Sequence, residues 1–154
     1  MNTHYLDTSA AVKLYVDETG SDWLRQLLIT TPPGVVLCSV LLRVEMRSAF
    51  TRRLSEGAIT PAEYARLCDW FNEHCATLYR FSPVNETIIQ SACGLVERHR
   101  LRGYDAVHLA TALTANQLLT EGGEQSIVFL SADERLILAA RLEGLEAENP
   151  NNPR

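Results

Sequence analysis

The sequence predicts an α/β fold in which a central, mostly parallel sheet of four or five strands is covered by helices on both faces. Short apolar segments alternate with longer helix-compatible segments, as parallel crossovers require. The chain has 154 residues, of which 46% are hydrophobic and 21% charged, which is typical of one globular domain. We therefore expect one domain over residues 1–147 and a frayed, proline- and asparagine-containing tail over residues 148–154.

The individual elements follow from apolar runs and from capping signals. Strands are predicted at residues 4–6, 35–38, 78–81 and 127–130, with a short edge strand after Gly144. Helices are predicted at about residues 10–16, 21–29, 41–54, 61–76, 86–99, 104–118 and 135–142. Two helices begin with the pattern of a capping box, one at residues 60–63 and one at residues 131–134.

Composition excludes several classes of protein. The apolar runs are far shorter than the roughly 18 residues of a membrane helix, and the first residues lack a signal-peptide pattern, so we expect a cytoplasmic protein. The four cysteines form no CxxC pair, which favours free thiols over a zinc ribbon or a disulfide framework. A formal charge of -5 argues against a uniformly basic surface that binds nucleic acid indiscriminately.

Four carboxylates stand out by position. Asp7 and Asp133 follow the first and fourth predicted strands, so both belong at the carboxyl edge of the sheet, where ligands bind in open α/β folds. Asp105 lies in the first turn of a predicted helix, and Glu45 lies on a largely apolar helix face. Helix capping is the simpler explanation for each aspartate alone, and a salt bridge to an arginine is the simpler one for Glu45.

A divalent cation would explain all four acids together. Mg²⁺ and Mn²⁺ prefer hard oxygen ligands and allow clustered carboxylates to stay ionised. Such a site activates a water molecule and neutralises the charge that develops on a phosphodiester. The residues therefore predict an acidic metal site with the chemistry of a nuclease.

Four parts of the chain resemble the motifs of PIN-domain ribonucleases, and especially of VapC-like toxins of type II toxin–antitoxin pairs. They are YLDTSAAVKLY at 5–15, the helical Glu45, YDAVHLATA at 104–112 and FLSADERL at 129–136. The resemblance implies a PIN-like three-layer α/β/α sandwich and a metal-dependent endoribonuclease. It implies that the Mg²⁺ or Mn²⁺ ligands are Asp7, Glu45, Asp105 and Asp133. It further implies that these acids are oriented by Thr8, Ser9 and Ser131.

The resemblance also implies partners, namely an RNA substrate, a small antitoxin protein and a second copy of the chain in a homodimer. The acidity of this chain departs from what loose RNA binding needs and favours a restricted substrate. A phosphate-facing stripe is one interpretation of a set of helical arginines, although a solvated helix face is the simpler one. The set is Arg43, Arg47, Arg52 and Arg53.

Two other functions remain open from the sequence. One is a catalytically silent PIN-like protein-interaction module in which the acids only cap helices and bind a partner's arginines. The other is phosphoryl transfer through Asp7, which the absence of a second aspartate two residues later disfavours. His108 is interpreted as a packed residue and is left out of the predicted catalytic set. Cys68 and Cys75 near His74 are likewise interpreted as core residues, because seven-residue spacing is ordinary helix periodicity.

Overall fold

Five parallel strands form one sheet in the order β3-β2-β1-β4-β5. The structure is a computed structural model that describes residues 3–30 and 34–154. The strands are β1 His4–Leu6, β2 Val36–Ser39, β3 Tyr79–Ser82, β4 Val128–Leu130 and β5 Glu146–Glu148. The helices are α1 Thr8–Ala11, α2 Ser21–Thr30, α3 Leu42–Ser55, α4 Pro61–Thr77, α5 Glu86–His99, α6 Gly103–Glu121 and α7 Glu134–Leu142. A turn of 3-10 helix, Val12–Leu14, follows α1.

The sheet is the middle of three layers, as the sequence predicts. Helices α1 to α4 contribute to one buried hydrophobic cluster, and α5 to α7 contribute to the other. The central strand β1 separates them, because successive side chains of a strand point to opposite faces. Tyr5 enters the α5–α7 cluster and Leu6 enters the α1–α4 cluster, and both are fully buried. The predicted α/β class and the mostly parallel sheet are therefore confirmed, with five strands that are all parallel.

The carboxyl ends of β1 and β4 are joined directly. Leu6 is in register with Leu130, and the Asp7 N–H donates to the Leu130 carbonyl at 3.1 Å. The chain therefore leaves β1 at Asp7 and leaves β4 at Ser131 at neighbouring points of the same sheet edge.

One of the two predicted capping boxes is confirmed. At α4, the Glu63 N–H donates to the Thr60 hydroxyl at 3.2 Å, and the Thr60 N–H donates to the Glu63 carboxylate at 2.7 Å. The box predicted at residues 131–134 is wrong, because Asp133 is the N-cap of α7. Ser131 is buried against Asp7 instead and lies two residues before the N-cap of α7.

The carboxyl-terminal segment differs from the frayed tail that its composition predicts. Glu148 is the last residue of β5, and Asn149 is 5% exposed with its amide donating to the Glu134 carboxylate. Pro150 is buried, and its carbonyl lies against Gly20, which has a φ of +87°. A few close contacts of this kind hold a polar segment that has no apolar pattern of its own.

No helix within residues 3–30 and 34–154 has both the length and the apolar character of a bilayer-spanning segment.

The contact between Gly20 and Pro150 predicts an unequal effect of two glycine substitutions. A Cβ at position 20 would lie 2.5 Å from the Pro150 carbonyl oxygen, whereas a Cβ at Gly57, with a φ of +72°, meets nothing within 4 Å. Gly57→Ala should cost about 1–2 kcal/mol, the penalty of the left-handed conformation. Gly20→Ala should cost clearly more, measured by urea denaturation. Equal losses would contradict a close contact between residues 20 and 150.

Candidate active site

A cleft of about 820 Å³ opens at the carboxyl edge of the sheet, and all four predicted acids line it. Each acid lies at the start of a helix. Asp7 and Asp133 are the N-cap residues of α1 and α7, and Glu45 and Asp105 lie in the first turns of α3 and α6. Negative charge is favoured at helix N-termini, so the backbone partly offsets the cost of gathering these carboxylates.

Asp7 is 3% exposed and is held by several donors. The Ser9 hydroxyl lies 2.8 and 2.9 Å from its two oxygens, the Ser131 hydroxyl donates to Oδ2 at 2.7 Å, and the Ala10 N–H donates to Oδ1 at 2.9 Å. Burial raises the pKa of the Asp7 carboxyl, and the charge of His108 and these hydrogen bonds oppose that shift. Both serines therefore contact one of the four acids that the resemblance expects Thr8, Ser9 and Ser131 to orient.

Glu45 has a histidine partner where the sequence suggested an arginine. His108 Nε2 lies 2.9 Å from Glu45 Oε1, and the Thr8 hydroxyl donates to Oε2 at 2.8 Å. Burial alone would raise the pKa of the Glu45 carboxyl, but the hydrogen bond and charge of His108, with the Thr8 bond, lower it overall. Both oxygens of this carboxylate are therefore oriented by neighbouring side chains.

Asp105 is the acid with the clearest electrostatic conflict. Burial raises the pKa of its carboxyl, and the charges of Asp7 and Asp133 raise it further. Asp133 turns one oxygen towards its own helix, where the Arg135 and Leu136 N–H groups donate to Oδ1 at 2.8 and 3.3 Å. Three acids distant in sequence are thus close enough to repel one another, as expected of a site that gathers a cation.

The donor set fits a hard divalent cation, although Asp7, Glu45 and Asp133 each accept hydrogen bonds from protein donors. Within residues 3–30 and 34–154, no three histidine, cysteine, aspartate or glutamate side chains are grouped closely enough to hold a metal ion. Mg²⁺ is usually bound through one or two carboxylates and several waters, so it does not need such a preformed group. Carboxylate oxygens around one open cleft suit Mg²⁺ and Mn²⁺ better than softer metals.

His108 is the functional residue that sequence reasoning missed. The sequence correctly predicts that His108 is buried, and the residue is 1% exposed. Its ring also contacts Glu45, Thr8 at 3.4 Å and Tyr5 at 3.1 Å. The available signal was its position three residues after Asp105, which puts both on one side of α6. Its partners come from β1, α1 and α3, and no spacing within α6 predicts them.

Comparison with known proteins agrees with this geometry. The PIN domain family matches residues 4–142. The chain belongs to the PIN-domain family. Ribonuclease VapC49 of Mycobacterium tuberculosis strain H37Rv is 35% identical over 141 residues, covering 91% of this chain and 90% of the relative. Ribonuclease VapC35 of the same strain is 31% identical over 151 residues, covering 97% and 98%.

Solved structures share the fold at low sequence identity. A chain from the structure of FitAB bound to an IR36 DNA fragment superposes with a TM-score of 0.72 at 15% identity, covering 97% of this chain and 96% of that one. PAE2754 from Pyrobaculum aerophilum superposes with a TM-score of 0.61 at 13% identity, covering 97% and 90%. The predicted resemblance to VapC-like PIN domains is confirmed.

The structure separates the four arginines on α3, for which the sequence left open either a phosphate-facing stripe or a solvated helix face. Arg52 and Arg53 line the cleft, whereas Arg43 and Arg47 lie outside its lining. Lys13 and Arg102 also line it from other elements. The cleft is therefore lined by basic side chains as well as by the four acids.

The cysteines behave as the sequence predicts. All four are free thiols, and Cys68 and Cys75 pack in the α1–α4 cluster. His74 is bonded to the Tyr15 hydroxyl at 2.8 Å and accepts from the Trp70 indole at 3.1 Å. Cys68 and Cys75 therefore pack in the core, as the sequence predicts.

The charge conflict at Asp105 predicts a more stable variant. In the wild type, burial and the charges of Asp7 and Asp133 raise the folded-state pKa of the Asp105 carboxyl. The ionised carboxyl therefore destabilises the fold above that pKa, and this penalty disappears below the unfolded-state pKa near 3.8. In EDTA at pH 7, Asp105→Asn should raise the unfolding midpoint by about 2–4 °C, the scale of roughly 1 kcal/mol for this chain length.

Thermal unfolding between pH 3 and pH 8 measures this effect. The difference between variant and wild type should shrink as the pH falls. The matched control is Asp69→Asn, an exposed carboxylate on α4, which should change stability by less than about 0.5 kcal/mol. A destabilised Asp105→Asn protein at pH 7 would argue against repulsion at this site.

Proposed function

We propose that this PIN domain is a metal-dependent endoribonuclease that cleaves RNA phosphodiesters in the cleft at the carboxyl edge of the sheet. The main support is that Asp7, Glu45, Asp105 and Asp133 line one cleft. Burial and the charges of Asp7 and Asp133 raise the pKa of Asp105, as expected where carboxylates are gathered. The names of the VapC ribonuclease relatives support RNA as the substrate. Mg²⁺ or Mn²⁺ is the proposed cofactor.

The proposed ligands of the cation are Asp7, Glu45, Asp105 and Asp133. When bound, Mg²⁺ or Mn²⁺ supplies activation of a water molecule and neutralisation of charge on the scissile phosphate. Ser9 and Ser131 hold Asp7 by donating to its oxygens, and Thr8 holds Glu45 in the same way. These donors fix the carboxylates before substrate arrives, which reduces the reorganisation that catalysis requires.

Basic residues on the cleft wall are proposed to bind the RNA backbone. Arg52 and Arg53 extend from the later turns of α3, and Arg102 precedes α6. Arginine suits phosphate because its planar guanidinium donates two parallel hydrogen bonds. Glu18 lies 3.4 Å from Arg53, so Arg52 is the better residue with which to test phosphate binding.

We further infer that the protein is the toxin of a toxin–antitoxin pair, acts in the cytoplasm as a homodimer, and is inhibited by a small antitoxin. The VapC names of its relatives support this inference. The competing candidate is a silent protein-interaction module, favoured by the capping bonds of Asp7 and Asp133, which give both acids a structural role. Calorimetry showing no Mn²⁺ uptake would select that module.

Cleavage of RNA should depend on the acids and on the metal. With Mn²⁺, purified protein should cut a structured RNA, and EDTA should stop the reaction. Asp7→Asn and Asp105→Asn should each lower kcat on the order of 100-fold or more, the scale of losing an electrostatic group at a developing charge. Gel analysis of end-labelled RNA measures this.

Of the two variants, Asp105→Asn gives the more decisive test, because it is expected to be more stable than wild type without metal. Its loss of activity would therefore not come from unfolding. Asp69→Asn is the control and should cleave at the wild-type rate. Cleavage that persists in EDTA and in both active-site variants would contradict the proposed metal-dependent mechanism.

Arg52→Ala should weaken RNA binding without slowing chemistry. We expect KM to rise about tenfold while kcat stays within about twofold, and the slope of log KM against log salt to fall by about 0.7, the value for one phosphate contact on a single strand. Arg43→Ala removes an arginine from the same helix outside the cleft and serves as the control. Identical effects of the two substitutions would assign the loss to overall charge.

A further inference from the structure

A buried chain of hydrogen bonds runs from the centre of the sheet to the cleft. The Tyr5 hydroxyl lies 3.1 Å from His108 Nδ1, and His108 Nε2 lies 2.9 Å from Glu45 Oε1. The side chain of His108 is 2% exposed and that of Glu45 is 23% exposed. The histidine therefore connects a core residue to an acid that faces the cavity.

The direction of these bonds is set by their chemistry. Burial raises the pKa of the Tyr5 hydroxyl well above its usual value, so the phenol keeps its proton. When the Tyr5 phenol donates to Nδ1 of a neutral His108 ring, the single ring hydrogen is on Nε2. A protonated His108 ring carries a hydrogen on both nitrogens. In either state Nε2–H donates to Glu45, so the contact does not depend on the charge of the ring.

The His108 ring has little freedom to move. Tyr5 lies on the central strand, stacks on Phe129 at a centroid distance of 5.4 Å, and meets His108 edge to face at 6.1 Å. The Thr8 hydroxyl donates to the second oxygen of Glu45, so each oxygen has one donor. A carboxylate has about four acceptor positions, which leaves lone pairs for a cation in the cleft.

We propose that His108 is a positioning residue that holds Glu45 in the orientation from which it binds the divalent cation, with Tyr5 and Thr8 completing the support. This inference rests on the proposed function of the cleft. A flexible glutamate without these donors would lose rotamer freedom on binding the ion, at a cost in affinity. Removal of an outer partner of a metal ligand typically weakens metal binding about 10–100-fold.

Metal binding without RNA provides the direct test. Isothermal titration of Mn²⁺ at pH 8 should give a dissociation constant about 10–100-fold higher for His108→Leu, which removes the hydrogen bonds of the ring. His108→Gln keeps an N–H donor near Nε2 and should recover most of the affinity. Tyr5→Phe removes one hydroxyl and should weaken binding by a smaller factor.

Two controls separate positioning from stability. His74 is a partly buried histidine on α4 with its own partners, Tyr15 and Trp70, so His74→Leu should lower the unfolding midpoint without changing Mn²⁺ affinity. In a Glu45→Gln background, adding His108→Leu should change the affinity less than about twofold, because the histidine acts through the glutamate.

Each outcome supports or overturns the inference. Wild-type affinity in folded His108→Leu overturns it and leaves the proposed function intact. His108→Gln as weak as His108→Leu also overturns it, because ring packing and not the donor would then be responsible. Absence of Mn²⁺ binding by the wild type overturns both proposals. If His108→Leu does not fold, unchanged affinity in Tyr5→Phe and in Thr8→Val is the overturning result.

Discussion

Repulsion among carboxylates at one edge of the sheet is the constraint on which the rest of the site depends. Parallel pairing of β1 with β4 brings the chain past Asp7 and Ser131 at adjacent points, and α6 adds Asp105 in its first turn. Burial and the nearby charges of Asp7 and Asp133 raise the pKa of the Asp105 carboxyl, which destabilises the metal-free fold. A protein keeps such an arrangement where function gains from it, since acids that repel one another bind a divalent cation well.

The fold offsets this repulsion with donors that are built into the same elements. All four acids stand at helix N-termini, where unpaired N–H groups and the helix dipole favour negative charge. Asp7 and Asp133 also use this position to cap their helices, so their structural and proposed catalytic roles are compatible. Capping, the simpler explanation for each aspartate, is therefore correct for two of the three and does not exclude a metal site.

Most of the fold was predictable because its signals are local. Apolar runs predicted β1 to β4 to within a residue, a short edge strand was expected after Gly144 without bounds, and the Thr60 capping box predicted the start of α4. The second capping box failed because Ser131 bonds to Asp7, which is 124 residues away. For the same kind of reason, composition did not predict that residues 149 and 150 are held by contacts with α7 and Gly20.

By itself, the sequence determined the α/β class, the order of the elements and the placement of the three aspartates near helix starts, because hydrophobic period and capping chemistry operate over a few residues. Only the tertiary structure decided which side chains support those acids. His108 illustrates the difference: its burial followed from its apolar neighbours, but its contacts with Glu45 and Tyr5 exist only because β1, α3 and α6 meet at the cleft. A hydrogen bond needs its two groups within about 3 Å of each other, and the packing of distant elements decides that distance.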